Sequence, residues 1–536
     1  MSNAPQKIVN PILPGFNPDP SICRVGDDYY IATSTFEWYP GVQIHHSRDL
    51  KHWRLLTRPL TRSEQLDMRG DPDSCGVWAP CLTYSDGLFW LVYTDVKRKD
   101  GAFKDAHNYI VTAPAIDGPW SDPVYANSSG FDPSLFHDDD GRKWFVNMIW
   151  DYRVGIHPFA GIALQEFDPA AGRLTGPIKN IFRGTSLGLT EAPHLYKRDG
   201  WYYLLTAEGG TGYDHAATLA RSRRLGGPYE LHPDAHVVTS RFFPDNPVQR
   251  AGHADFVETQ TGETYLVHLM GRPRAGQNRC QMGRETGIQK CVWGEDGWLR
   301  LASGALEPEA EVDAPDLPPH PFPEEPARHD FDVKDLPLDF QWLRSPYSER
   351  LFSLSQRPGH LRLYGREYLG SFFEQALVAR RQTHYDYQAE TLVDFQPDSL
   401  QQTAGLIAYY GRYQFFYLAI TFDEMRGRVL TVLACPGDYP SAALIAPLEA
   451  PVRLPESGPV AMKVVVKDMA LRFLYRVDGE DWQRIGPTFD ATILSDEAGL
   501  GPHGNFTGAF VGMHAMDGSG RAFPADFDYF EYQNDL

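Results

Sequence analysis

Asp19, Asp132 and Glu191 are the residues of this sequence whose type and spacing could do chemistry. Each lies in a short proline-containing motif: Asn17-Pro18-Asp19-Pro20-Ser21, Phe131-Asp132-Pro133-Ser134-Leu135 and Glu191-Ala192-Pro193-His194-Leu195. Trp78-Ala79-Pro80-Cys81-Leu82 repeats the shape, and His253-Ala254-Asp255-Phe256-Val257 is a weaker copy. Taken singly, an Asp beside proline satisfies backbone donors in a turn. Three carboxylates at matched points of a repeat are another matter, because like charges crowded together are costly unless used. Opposed carboxylates acting on a neutral substrate suit glycosidic bond cleavage. One protonates the leaving oxygen, and the other works on the opposite face as base or nucleophile.

The elements that must position these residues follow from the repeat. Asp19, Ala79, Asp132, Ala192 and Ala254 fall in register, with gaps of roughly 60, 53, 60 and 62 residues. A long fixed period marks a repeat architecture. Each motif is followed by a Gly or Asp turn and then an aromatic, β-rich run, at 29–36, 89–94, 144–150, 201–207 and 264–270. Such runs between turns read as strands, so motif, turn and run form a hairpin. A third recurring element, at 45–56, 115–123 and 222–231, carries Trp53, Trp120 and Tyr229 and reads as outer strands with an aromatic plug. Five copies with room for four short strands each predict a five-bladed β-propeller. A β-helix needs a shorter period, and a sandwich gives no reason for the period. In a propeller the first strand of each blade lines the central channel, where an edge tolerates proline. Asp19 and Asp132 then share one position, and Trp78, Glu191 and His253 the one before it. All five side chains are expected at one end of the axis.

The chain has 536 residues, enough for two or three domains, with 42% hydrophobic and 13% aromatic residues to build their cores. A formal net charge of −20 excludes a phosphate-neutralising nucleic-acid partner. The six cysteines include no C-x-x-C pair and read as buried thiols of a reducing compartment. Residues 1–14 lack a charged segment followed by an apolar one, so neither a signal peptide nor a membrane span is expected, and the protein is placed in the cytoplasm. Gly209-Gly210-Thr211-Gly212 opens no helical pattern and is read as no phosphate loop.

From 306 to 328 seven prolines and interleaved acids mark an extended connector. The division is therefore 1–305 for the propeller, 306–328 for the linker and 329–536 for a second domain. There strand patterns return, with the alternation of Leu471-Arg472-Phe473-Leu474-Tyr475-Arg476-Val477 suiting a half-buried sheet. The expected fold class is all-β, a five-bladed propeller followed by a β-sandwich.

The three acidic motifs, in this order, resemble the catalytic motifs of glycoside hydrolase family 43. Gly283-Arg284-Glu285-Thr286 and the long C-terminal extension are similar to the family's β-xylosidase branch. The resemblance implies an inverting, exo-acting enzyme on β-1,4-linked xylooligosaccharides, with side activity on α-L-arabinofuranosides. It implies Asp19 as general base, Glu191 as general acid and Asp132 as the group that raises the pKa of Glu191 and orients it. It makes the second domain a concanavalin-like jelly roll with a loop capping the funnel. Gly504-Asn505-Phe506-Thr507-Gly508 is the stretch chosen for that loop, with Phe506 as the cap. Phe36 and Trp78 are expected to stack on a pentose, Arg284 to bind hydroxyls beside the carboxylates, and His253 to line the base of the pocket. Some relatives hold a divalent cation such as calcium on the axis through a histidine. His253 is the residue for it, but no ligand cluster accompanies it, and no metal is expected to be required. The resemblance also implies a homodimer or homotetramer. The rival readings are an arabinofuranosidase on the same scaffold, a retaining fructoside hydrolase, and a non-catalytic carbohydrate-binding propeller. The fructoside hydrolases prefer Arg where Phe131 stands and Cys where Ala192 stands. The binding propeller gives no reason for three matched carboxylates.

Overall fold

The computed structural model describes residues 6–274, 277–437, 441–477, 479–498 and 505–534. It is all-β: among the described residues the only helical turns are two short 3-10 segments, Ser348–Arg350 and Ala491–Ile493. Among the described residues no helix is long and apolar enough to cross a membrane.

Five four-stranded antiparallel sheets form the blades of a propeller. Blade I starts at Ser21–Val25, blade II at Gly76–Ser85, blade III at Ser134–His137, blade IV at Glu191–Arg198 and blade V at Gln249–Glu258. These five starting strands touch in order around the axis, blade V returning to blade I. The ring is closed by residues 10–17, which run along the Glu285–Trp293 strand of blade V. Ile12 N donates to Thr286 O (2.9 Å), Thr286 Oγ1 to Asn17 O (2.6 Å) and Asn17 N to Arg284 O (3.0 Å).

In blades II and IV the proline motif folds as a bulge in the innermost strand, and in blades I and III the same turn leads into it, Ser34 N donating to Pro18 O and Met148 N to Phe131 O (both 3.2 Å). Trp78 pairs with Thr94 and Cys81 with Val92, so Ala79 and Pro80 oppose one residue. Glu191 pairs with Ala207 and His194 with Leu205, leaving Ala192 and Pro193 unpaired in the same way. A bulge re-aims the side chain beside it. The left-handed residue of the motif is Asp19 (φ 57°), Asp132 (φ 52°), Ala192 (φ 51°) and His253 (φ 43°). Asp tolerates that region better than most side chains. In blade V it is His253 that takes this conformation, one residue earlier than the motif alignment set it. The motif serines tie blade to blade: Ser21 Oγ donates to Asp255 Oδ2 (2.9 Å) and accepts from Leu82 N (3.1 Å), and Ser134 Oγ donates to Pro193 O.

The stretches carrying Trp53, Trp120 and Tyr229 are the turns of the outer hairpins, their aromatics folded back on the turn. Trp53 Nε1 donates to Leu50 O (2.9 Å), Trp120 Nε1 to Ile116 O (3.2 Å) and Tyr229 OH to Leu225 O (2.9 Å). The connector is extended but contributes a strand, Glu311–Asp313, which pairs with Lys7–Val9 where the chain enters the propeller.

The second unit is a sandwich of two antiparallel sheets. In one, Tyr387–Asp394 and Ala470–Val477 alternate buried and half-buried residues, with one face on the shared core. In the other, Gln402–Gly411 is buried throughout. The edge of that sheet belongs to the propeller: Trp38–Tyr39, between the second and third strands of blade I, pairs with Phe340–Leu343. The run expected over 29–36 ends at Thr33, and the chain then leaves the blade through Phe36 (φ 51°) to join the sandwich. Trp38, fully buried, stacks on Phe510 with ring centroids 3.7 Å apart.

Candidate active site

The motifs deliver their side chains to one cavity of about 360 Å³ at one end of the axis. Asp19, Asp132 and Glu191 line it together with Phe36, Trp78, His253, Arg284 and Phe506.

Asp19 is buried and held by three groups. Its Oδ1 accepts from Arg284 Nη1 (3.0 Å), its Oδ2 accepts from Ser34 Oγ (2.6 Å), and His253 Nδ1 lies 3.6 Å from Oδ1. Burial alone would raise its pKa. The Arg284 charge, His253 and the Ser34 hydrogen bond outweigh it and hold the carboxyl below the usual range, so Asp19 is ionised. His253 is buried and pushed down to about 4, so it stands neutral beside Asp19 despite that anion.

Glu191 goes the other way. It keeps part of its surface on the cavity, yet burial and then the Asp19 charge push it up to about 8, against Arg284 and Lys104. Asp132 is also driven up, first by burial and then by Glu191 and Asp19, while the Ala192 amide hydrogen-bonds it. Two raised carboxyls interacting this way titrate as a pair, and at neutral pH the pair retains a proton. The resemblance implied that Asp132 lifts Glu191. In the folded protein burial leads, the Asp19 charge follows, and Asp132 shares the proton of the pair.

Arg284 joins the two units at the site. Nη1 also reaches Thr211 Oγ1 (3.3 Å), and Nη2 donates to the Phe506 carbonyl (2.7 Å) from the sandwich. The Phe506 amide donates to Ser74 Oγ (3.0 Å), and its ring meets Trp78 edge-on at 5.9 Å. Gly283 is left-handed (φ 67°), and a Cβ there would stand 2.9 Å from Thr507 O, so only glycine lets this loop approach. Gly504, the first residue of the stretch chosen for the cap, lies outside the described residues. Arg250 fastens the same face, with Nη2 3.1 Å from Asp496 Oδ2 and Nη1 2.9 Å from Glu497 Oε1.

Lys99, Lys104, Phe159, Thr211 and His215 also line the cavity and were missed from the sequence. Lys104 Nζ lies over the rings of Trp150 (4.4 Å), Trp78 (5.4 Å) and Phe131 (5.5 Å), and its charge reaches Glu191. It comes from a rim loop whose placement follows no periodicity. Thr211 belongs to the glycine-rich stretch set aside as no phosphate loop, which forms part of the cavity wall. Asp255, two residues after His253, accepts from Ser21 Oγ, Ile22 N (2.9 Å) and Tyr196 OH and lines a separate cavity with Ser134 and His194. Among the described residues no group of three or more His, Cys, Asp or Glu side chains is arranged to hold a metal. Around His253, Arg284 already occupies Asp19 Oδ1, which does not fit a divalent cation there.

Residues 8–299 match the family described as "Glycosyl hydrolases family 43", and residues 328–533 match "Beta xylosidase C-terminal Concanavalin A-like domain". The chain is 58% identical over 528 residues to "Xylosidase/arabinosidase 43B" of Humicola insolens, covering 98% of each. It is 51% identical over 537 residues to "Beta-xylosidase" of Bacillus subtilis (strain 168), covering 98% of this chain and 99% of the other. The crystal structure of "xylan beta-1,4-xylosidase from Bacillus Halodurans C-125" superposes with a TM-score of 0.96 at 56% identity, over 98% of this chain and all of that one. Matching motifs, propeller and appended sandwich together place the chain in one family: it belongs to glycosyl hydrolase family 43.

Proposed function

We propose that the protein is an inverting, exo-acting β-xylosidase that releases xylose from the non-reducing end of β-1,4-linked xylooligosaccharides. The observation that carries this is the opposed protonation of two carboxyls on one cavity: Asp19 held ionised, Glu191 held protonated. Asp19 takes a proton from the water that attacks the anomeric carbon. Glu191 gives its proton to the departing glycosidic oxygen. The C–O bond breaks on the face opposite the new one, so configuration inverts. Solvent then returns Glu191 its proton and removes the one on Asp19. Asp132, bonded by the Ala192 amide, fixes the position of Glu191 and shares its proton. Phe36, Trp78 and Phe506 supply apolar faces for a pentose, and Arg284 a fixed hydroxyl donor. A small cavity, near the low end of the roughly 300–1,000 Å³ usual for ligand pockets, suits removal of one terminal sugar.

The relatives' names favour a second activity on α-L-arabinofuranosides at the same site. Initial rates on nitrophenyl β-D-xyloside, nitrophenyl α-L-arabinofuranoside and xylobiose test the reading. Xylobiose cleavage with the xyloside preferred is expected. Arabinofuranoside turnover without xylobiose cleavage would overturn it. Cytoplasmic action on imported oligosaccharides, as a homodimer or homotetramer, belongs to the same proposal. Fractionation and sedimentation test it.

A further inference from the structure

The cavity does not end the aromatic surface on the Glu191 side. Glu191 gives its proton to the departing oxygen, so the leaving sugar lies on that side, toward Lys104. Lys104 covers Trp150, and Trp150 Nε1 donates to Ala102 O (2.9 Å), which ties the strand end at Trp150 to the rim loop 98–104. Beyond it, Phe103 from that loop and Tyr152 from loop 151–158 stack on each other, centroids 5.1 Å apart and 30° between planes. Both rings stand in solvent, Phe103 69% exposed and Tyr152 56%. Val154 and Ile156 on the Tyr152 loop are exposed as well.

Neither loop is held there by the ring pair alone. Lys104 Nζ donates to Lys99 O (2.6 Å), Asp151 N to Pro158 O (2.7 Å), and Asp151 pairs with Arg153 (2.5 Å). The rings are thus presented on braced backbone, which lowers the ordering cost of whatever lands on them. Large apolar rings left in water at the mouth of a binding cavity mark a contact surface.

We propose that the Phe103–Tyr152 pair is a platform for the leaving part of the substrate, taking the second and third sugars beyond the scissile bond of longer xylooligosaccharides. Continuity with the cavity wall, through Trp150 and Lys104, selects a saccharide over other occupants. A xylose ring offers an apolar C–H face to such a platform and keeps its hydroxyls in water. The charges nearest the pair are already engaged, Lys104 over Trp150 and Asp151 with Arg153, which leaves the rings to an uncharged ligand. This rests on the β-xylosidase reading, and it makes Phe103 and Tyr152 specificity-determining rather than catalytic.

The test compares kcat/KM on xylotetraose with kcat/KM on xylobiose, for wild type, Phe103→Ala, Tyr152→Ala and the double variant. Both side chains are exposed, and thermal melts will report folding. Loss of one stacking contact should lower the tetraose-to-biose ratio roughly three- to tenfold, mostly through KM. An unchanged ratio in the folded double variant overturns the platform, while wild-type failure on xylobiose overturns the activity reading instead. Sedimentation of the same variants covers the other occupant, a second copy of this chain. A drop in assembly mass would overturn the platform in favour of a subunit interface.

Discussion

Asp19 and Glu191 sit on the same cavity, and their proton affinities are driven in opposite directions by what touches them. Asp19 has a guanidinium and a hydroxyl; Glu191 has an apolar wall and another anion. Activity requires Glu191 protonated, so the rate should fall as pH rises through about 8. Glu191→Ala should lose about 10²- to 10⁴-fold on xylobiose and far less on a nitrophenyl xyloside, whose leaving group needs no acid, and should lose the alkaline limb on that substrate. Asp132→Asn removes a neighbouring anion, so the alkaline limb of its pH–rate profile should move to lower pH. The same shift sets stability. A carboxyl with a raised folded pKa stabilises fully below its unfolded pKa and loses that contribution as pH rises through about 8. Glu191→Gln should therefore melt like wild type near pH 4.5 and several degrees higher at pH 9. The acidic residues were legible in the sequence because their motifs recur. Lys104 and His215 were not, because single residues on non-repeating loops carry no pattern.

At the scale of the element, the proline motif does the positioning. Its left-handed residue and its proline turn a channel-lining strand so that Asp19, Asp132 and Glu191 face one cavity. Gly130, just before Phe131-Asp132, sets how closely blade III can pack, since a Cβ there would fall 1.9 Å from Met148 O. Gly130→Ala should lower the melting temperature and kcat together, by displacing the Asp132 turn. Gly283→Ala meets both a positive φ and the Thr507 carbonyl, a penalty of more than about 1 kcal/mol. It should raise KM for xylobiose more than it lowers kcat, because it moves the Phe506 wall and leaves the carboxyls in place. The five blades were legible for the same reason as the acids, through the period of their turns and aromatic runs. The exit of Trp38–Tyr39 from blade I was hidden, because an apolar pair after a strand reads the same whether it stays in its sheet or joins another.

At the scale of the molecule, propeller and sandwich share a sheet edge, a Trp38–Phe510 stack, the Arg250 clasp to Asp496 and Glu497, and the Arg284–Phe506 link inside the cavity. They should unfold as one cooperative transition. Trp38→Ala should cost about 3–5 kcal/mol and lower one common melting temperature, measured by calorimetry. A chain ending at residue 320 should lack activity even if folded, because Arg284 loses a partner and the cavity a wall. The Pro-rich composition of 306–328 pointed to two units, but their mutual dependence lay in long-range contacts that no local stretch encodes. The claim on which all of this rests is that one carboxylate activates water while another, across the cavity, gives up its proton. Proton NMR of the sugar first released from xylobiose reads it directly. The account predicts α-xylose before mutarotation. β-Xylose as the first product would contradict it.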